Sequence, residues 1–133
     1  MPSESWRSVR VTWLDRPGTI ARLREAVAAL ARDHPEVERV VLFGSLARGD
    51  AVPGSDADLL VVLSDSPLPF LERIPAYTPR GCGIGVDVFP YTQAELGRMM
   101  EEENPFVREA LGTGIVLYAR AAADSPGESD LQS

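Results

Sequence analysis

The chain contains no lysine: all thirteen basic residues among its 133 are arginine. That removes Walker-type P-loop ATPases, lysine Schiff-base enzymes and protein kinases, each of which relies on a lysine. It also argues against haloacid dehalogenase-type phosphatases, which normally use a lysine and whose Asp-x-Asp pair follows a strand instead of opening one. The one cysteine, Cys82, has no internal disulfide partner, so a reducing compartment is expected. The one histidine, His34, precedes a proline at an expected helix end and reads as a surface residue favoured by the helix dipole. A Ser-His-Asp triad would have to use it, and nothing around Ser45 forms a Gly-x-Ser-x-Gly elbow. No apolar run approaches the length of a membrane span. The stretch Met1 to Trp6 has neither the basic start nor the apolar segment of a secretory leader. A cytoplasmic protein is therefore expected.

Basic clusters are missing as well. Net charge is −7, and the arginines commonly sit beside acids, as in Arg24-Glu25, Arg32-Asp33 and Glu38-Arg39. A protein that grips a nucleic-acid backbone normally shows a basic stripe. Nucleic acid is thus disfavoured as a partner, and transfer chemistry on it is less expected than transfer to a protein or a small molecule. The length supports one domain. We place it at residues 1–120, with 121–133, rich in Ala, Ser, Asp, Gly and Pro, as a disordered tail. No internal repeat is visible.

Alternation of Val9, Val11 and Trp13 with polar residues suggests a short strand or extended arm. Asp15 and Pro17 mark a helix start, Ile20, Leu23, Val27 and Leu30 form its apolar stripe, and Pro35 bounds its end. Val40 to Phe43 reads as a buried strand that ends at a sharp Gly44-Ser45 turn into a short helical stretch. A loop around Asp50 to Ser55 leads to a second buried strand, Leu59 to Leu63. Prolines at 67, 69, 75 and 79 leave room for at most a short helix around Phe70 to Ile74. The glycines at 81, 83 and 85 precede a strand, so they read as a turn and not as a dinucleotide fingerprint. Thr92 and Glu95 form a capping-box pattern for a helix running toward Glu103. A second helix is expected over Phe106 to Leu111, closed by Gly112, and Ile115 to Tyr118 is expected to add a last strand to the same sheet.

Asp56 and Asp58 open the second buried strand. Residues two apart on a strand face the same way, so both carboxylates are expected to project together. Like charges that close repel, and a divalent cation is the usual reason to keep them. The bland alternative is a pair of loop-end carboxylates capping backbone N–H groups. Free amides at Gly44 and Ser45 suit phosphate oxygens. Asp87 lies between Val86 and Val88, an acid isolated in an apolar strand, where a shared metal would account for it. It reads alternatively as a solvated residue on an edge strand. Arg48 either contacts a triphosphate or pairs with Asp50 on the surface. The run Glu101 to Glu103 reads as a solvated helix face that could also dock on a basic partner.

Phe43-Gly44-Ser45, a ten-residue spacer, Asp56-Ala57-Asp58 and then Asp87 together resemble the signature of the DNA polymerase beta-like nucleotidyltransferase superfamily. Arg48-Gly49 and Ser55 also match common forms of the motif, and Phe106 to Tyr118 resembles the terminal helix and strand of the minimal nucleotidyltransferases. The likeness covers roughly residues 20 to 119. It implies an α/β (α+β) fold with a mixed β-sheet flanked by helices. It further implies Asp56, Asp58 and Asp87 as catalytic metal ligands for two Mg²⁺ ions, with Mn²⁺ as a substitute. Gly44, Ser45 and Arg48 then become the nucleotide-binding residues for ATP or another nucleoside triphosphate. By the same resemblance the partner is a small helical HEPN-type protein, this chain is the antitoxin of the pair, and AMP passes to a hydroxyl on the toxin. Two alternatives stand beside it: a module that neutralises its partner by contact alone, and an aminoglycoside-type nucleotidyltransferase, which normally carries a further helical domain.

Overall fold

The computed structural model describes residues 15–51 and 54–120. The expected N-terminal arm, the tail and the tip of the Asp50–Ser55 loop lie outside these residues. In chain order the elements are α1 (Arg16–Asp33), β1 (Val37–Phe43), α2 (Ser45–Arg48), β2 (Ala57–Leu63), α3 (Phe70–Ala76), β3 (Val86–Thr92), α4 (Gln93–Glu101), α5 (Pro105–Thr113) and β4 (Ile115–Ala119). One four-stranded sheet has the order β3-β2-β1-β4. β1 is antiparallel to both β2 and β4, whereas β2 and β3 run parallel. A parallel pair needs a crossover longer than a hairpin, and the proline-rich segment carrying α3 supplies it.

Helices cover both faces of the sheet, which explains why the central strands read as unbroken apolar runs. On one face α1 packs Leu23, Val27 and Ala31 against Val40, Leu42, Leu59, Val61 and Leu63. On the other, Leu96 of α4 with Val107 and Ala110 of α5 meets Val41, Phe43, Leu60 and Val62. Phe106 wedges into this second layer, its ring centroid 5.1 Å from Phe43 and 5.2 Å from Phe89. Each fully buried Leu or Val side chain contributes about 1.5–3 kcal/mol through removal from water.

Local chemistry sets the element boundaries. Asp15 caps α1 by accepting from the Gly18 N–H, with Pro17 in the first turn. At α4 the reciprocal capping box between Thr92 and Glu95 forms in full, and Asn104 caps α5 by accepting from the Phe106 and Val107 amides. Gly81 and Gly83 take positive φ of 76° and 82° and turn the chain into β3. One boundary differs from the sequence expectation. α5 runs through Gly112 to Thr113 and stops at Gly114, where a β-carbon would collide with the Ala110 carbonyl and the Val41 side chain. Close approach of helix to strand, and not a left-handed cap, is what requires glycine there.

Candidate active site

Sheet register brings the acids together. Across the antiparallel β1–β2 ladder Phe43 sits opposite Asp58, and across the parallel β2–β3 ladder Asp58 sits opposite Asp87. Leu60 and Val62 of β2 point into the α4/α5 layer with Phe89 and Tyr91 of β3. By the two-residue alternation of a strand, Asp58 and Asp87 share that face. They occupy the open end where the packed layer stops.

Asp56 precedes β2 and its carboxylate lies against Gly85, where a β-carbon would collide with Oδ1. The Ala57 N–H donates to the Gly85 carbonyl at 2.9 Å, holding the two strand entrances side by side. Asp58 leans the other way, with Oδ2 against Gly44 in the place a side chain would take. Gly44 is buried with φ of 79°, a left-handed conformation that strains any L-residue with a side chain. Glycine is therefore required there twice, for conformation and for the approach of Asp58.

The Gly44-Ser45 turn is braced from outside. Arg16 of α1 donates from Nε to the Leu46 carbonyl and from Nη2 to the Ala47 carbonyl, both at 2.9 Å. These bonds satisfy end-of-helix carbonyls of α2 and tie the turn to α1. No periodicity marks this role for Arg16, since nothing in the sequence links it to a turn thirty residues away.

Electrostatically the end of the sheet is acidic. Burial pushes the Asp58 carboxyl above its ordinary value, and the charges of Asp87, Asp56 and Glu109 push it further, while Arg48 pulls the other way. Glu109, on α5, is a member of this group that the motif did not identify. Arg48 pairs with both acids within its reach, Glu109 at 2.7 Å and Asp50 at 3.4 Å. The surface pairing with Asp50 is thus present, and a second partner was not foreseen.

Asp87 is exposed on β3, an edge strand of the sheet, so the alternative reading of a solvated edge-strand acid describes its surroundings and the apolar isolation suggested by the strand pattern does not. Its alignment with Asp58 remains. The three carboxylates supply hard oxygen donors of the kind that divalent cations take. Among the described residues, however, no three His, Cys, Asp or Glu side chains are gathered in an arrangement that would hold a metal ion. Asp56 lies toward Gly85 and Asp58 toward Gly44.

Other titratable groups belong to the scaffold. His34 caps α1 with its ring edge on Tyr77, 5.1 Å between centroids, and Nδ1 lies 3.4 Å from Glu36. Tyr77 donates to Glu36, and burial with that bond pushes the Tyr77 hydroxyl up to about 12. Cys82 is buried and free. Among the described residues no helix is long and apolar enough to cross a membrane.

Comparison with known proteins agrees with this geometry. A candidate nucleotidyltransferase from Sulfolobus solfataricus superposes with a TM-score of 0.57 at 24% identity, over 79% of this chain and 84% of that one. A chain of a toxin–antitoxin complex crystallised with AMP-PNP superposes at 0.52 with 19% identity, covering 77% and 78%. The toxin–antitoxin MntA-HpeT, in a variant with two aspartates changed to glutamates, superposes at 0.51 with 16% identity over the same shares, 77% and 78%. At these identities the likeness is one of fold. Comparison with curated proteins finds none that matches. The model of the nucleotidyltransferase domain family matches residues 21–110, from α1 through the acids of β2 and β3 to α5, and the chain belongs to that family.

Proposed function

We propose that the protein transfers a nucleoside monophosphate, AMP from ATP, to a hydroxyl group of a partner protein, as the antitoxin of a toxin–antitoxin pair. The observation that carries the chemistry is the alignment of Asp58 with Asp87 on adjacent strands, with Gly44 pressed against Asp58. In this reading a phosphate seat at Gly44-Ser45 and the carboxylates of Asp58 and Asp87 share one end of the sheet. Two of the similar structures are toxin–antitoxin complexes, one of them with AMP-PNP, which supports a protein acceptor and an adenine nucleotide. A small helical HEPN-type toxin fits the resemblance in the sequence.

In this reading the Gly44 and Ser45 amides hold the β- and γ-phosphates, since first-turn amides have no partner within a helix. Asp56, Asp58 and Asp87 are the residues that would hold Mg²⁺. When bound, Mg²⁺ supplies neutralisation of phosphate charge and a lowered pKa for the attacking hydroxyl. The acceptor oxygen forms a bond to the α-phosphorus while the bond to the bridging oxygen breaks and pyrophosphate leaves. In this reading Asp87, which is exposed to solvent, takes the hydroxyl proton. The acidic surroundings of Asp58 keep other anions out unless they arrive with cations.

The test is incubation with each α-phosphate-labelled nucleoside triphosphate, Mg²⁺ or Mn²⁺, and lysate of the source cell, beside the Asp56→Asn/Asp58→Asn variant. Label on a protein band with the wild type alone is the expected result. The opposed leanings of Asp56, toward Gly85, and Asp58, toward Gly44, are the one observation that favours contact-only neutralisation of the partner. That second reading gains if no label transfers and the double variant still neutralises the toxin. Label on a small molecule in place of a protein band would favour an aminoglycoside-type activity.

A further inference from the structure

Arg48 and Glu109 come from segments 61 residues apart and meet through the shortest ion pair at the acidic mouth, Nη1 to Oε2 at 2.7 Å. The second contact of Arg48, from Nε to Asp50 at 3.4 Å, is long and local. Both heads lie close enough to Asp58 to act on its carboxylate, in opposite directions. Arg48 closes α2, the four-residue helix that begins at Gly44-Ser45, and Glu109 projects from α5 on the other side of the mouth.

We infer that Glu109 is a positioning residue that holds Arg48 at rest and competes with the triphosphate for it. Binding of a nucleoside triphosphate at the Gly44-Ser45 turn exchanges the Glu109 carboxylate for a phosphate oxygen on the same guanidinium. The inference rests on the nucleotide-binding reading proposed above. The guanidinium N–H that meets one Glu109 oxygen can meet a phosphate oxygen equally well, so the exchange requires no new donor. The side chains of Arg48 and Glu109 are 44% and 46% exposed, and ion pairs that open to water are weak. Glu109 therefore parks the arginine without locking it, and a ligand of higher charge displaces it. Because Glu109 sits on α5 and Arg48 on α2, the exchange also loosens one tie between the helix layer and the Gly44-Ser45 turn.

The experiment is a double-mutant cycle on equilibrium binding of ATP with Mg²⁺ by the purified protein at fixed physiological salt, without an acceptor, so that no turnover contributes. Glu109→Gln is expected to tighten ATP binding about two- to fivefold. In an Arg48→Gln background the same change is expected to alter affinity by less than about 1.5-fold. An equal gain in both backgrounds would mean that Glu109 acts only as a through-space charge and would overturn the inference. Weaker binding in Glu109→Gln alone would show that it orients Arg48 toward the ligand, which also overturns it. Wild-type protein that binds no nucleoside triphosphate at all would instead remove the nucleotidyl-transfer reading beneath it, and circular dichroism of each variant separates these outcomes from misfolding.

Discussion

Asp58 and Glu95 are two carboxylates that border the same helix-covered face of one sheet, and their surroundings drive them in opposite directions. Glu95 meets Arg73, a side chain only 6% exposed, through a two-pronged pair at 2.7 and 3.0 Å. The hydrogen bonds from Arg73 hold its carboxyl down at about 2. Arg73 also donates to the Leu68 and Pro90 carbonyls, so one guanidinium fastens α3, β3 and α4 together. Asp58 is instead raised, by burial first and then by Asp87, Asp56 and Glu109. An acid with a dedicated arginine serves the scaffold. An acid facing mostly other acids is held in an arrangement that costs stability, and the proposed function is what would use it.

Four changes would break or sharpen that contrast. The largest effect belongs to Asp56→Asn with Asp58→Asn, which should reduce nucleotidyl transfer by on the order of 10³-fold or more. Thermal stability of this variant should be unchanged or raised, because like-charge repulsion is relieved. A fall in melting temperature together with intact transfer would invert the assignment. Arg73→Met should do the reverse, lowering unfolding free energy by about 2–3 kcal/mol in urea titration, because Glu95 and two carbonyls lose their donor. That range is held below the value for a fully buried pair because Glu95 is 32% exposed. Nucleotide affinity of any folded Arg73→Met protein should stay within about twofold of wild type, since Arg73 lies away from the mouth.

Gly44→Ala tests the point where scaffold and site touch. The left-handed φ and the collision with Asp58 should cost about 1–2 kcal/mol of stability and weaken ATP binding as well, read by urea titration and equilibrium binding on the same preparation. The smallest effect is a pH dependence. The folded-state pKa of Glu95 is depressed from 4.5 to about 2, so its contribution is fully present above pH 4.5 and is lost as pH falls toward 2. The stability difference between wild type and Glu95→Gln should therefore shrink over that window and stay constant between pH 5 and 8. A difference independent of pH down to 2 would show that the pair adds nothing ionic.

Most of the fold is legible in the sequence because the signals for it are local. Asp15-Arg-Pro17, Thr92 to Glu95 and Asn104-Pro105 announce their helix starts through backbone N–H groups that need an acceptor within three residues. Doubly buried strands announce themselves as continuous apolar runs. The acids of the proposed site stand out for the same kind of reason: Gly44-Ser45 and Asp56-x-Asp58 occupy one short stretch. Asp87 was legible as an acid in a strand, either isolated among apolar residues or solvated on an edge strand, and the edge position of β3 with Asp87 exposed agrees with the second of these. Gly112 looked like the end of α5 because a glycine near a helix end suggests a cap, whereas Gly114 is the one the packing requires.

What the sequence by itself determined, then, was where the strands and helices lie, that one strand opens on a carboxylate pair, and that no lysine-based chemistry is available. Tertiary structure alone decided that Asp87 aligns with Asp58, that Glu109 reaches Arg48, that Arg16 braces the Gly44-Ser45 turn and that Arg73 locks onto Glu95. Each of these joins residues far apart in the chain through the parallel β2–β3 register or the packing of a helix on the sheet. No short-range pattern encodes such a contact, because an isolated arginine or glutamate looks the same in sequence whether it ends in solvent or beside its partner.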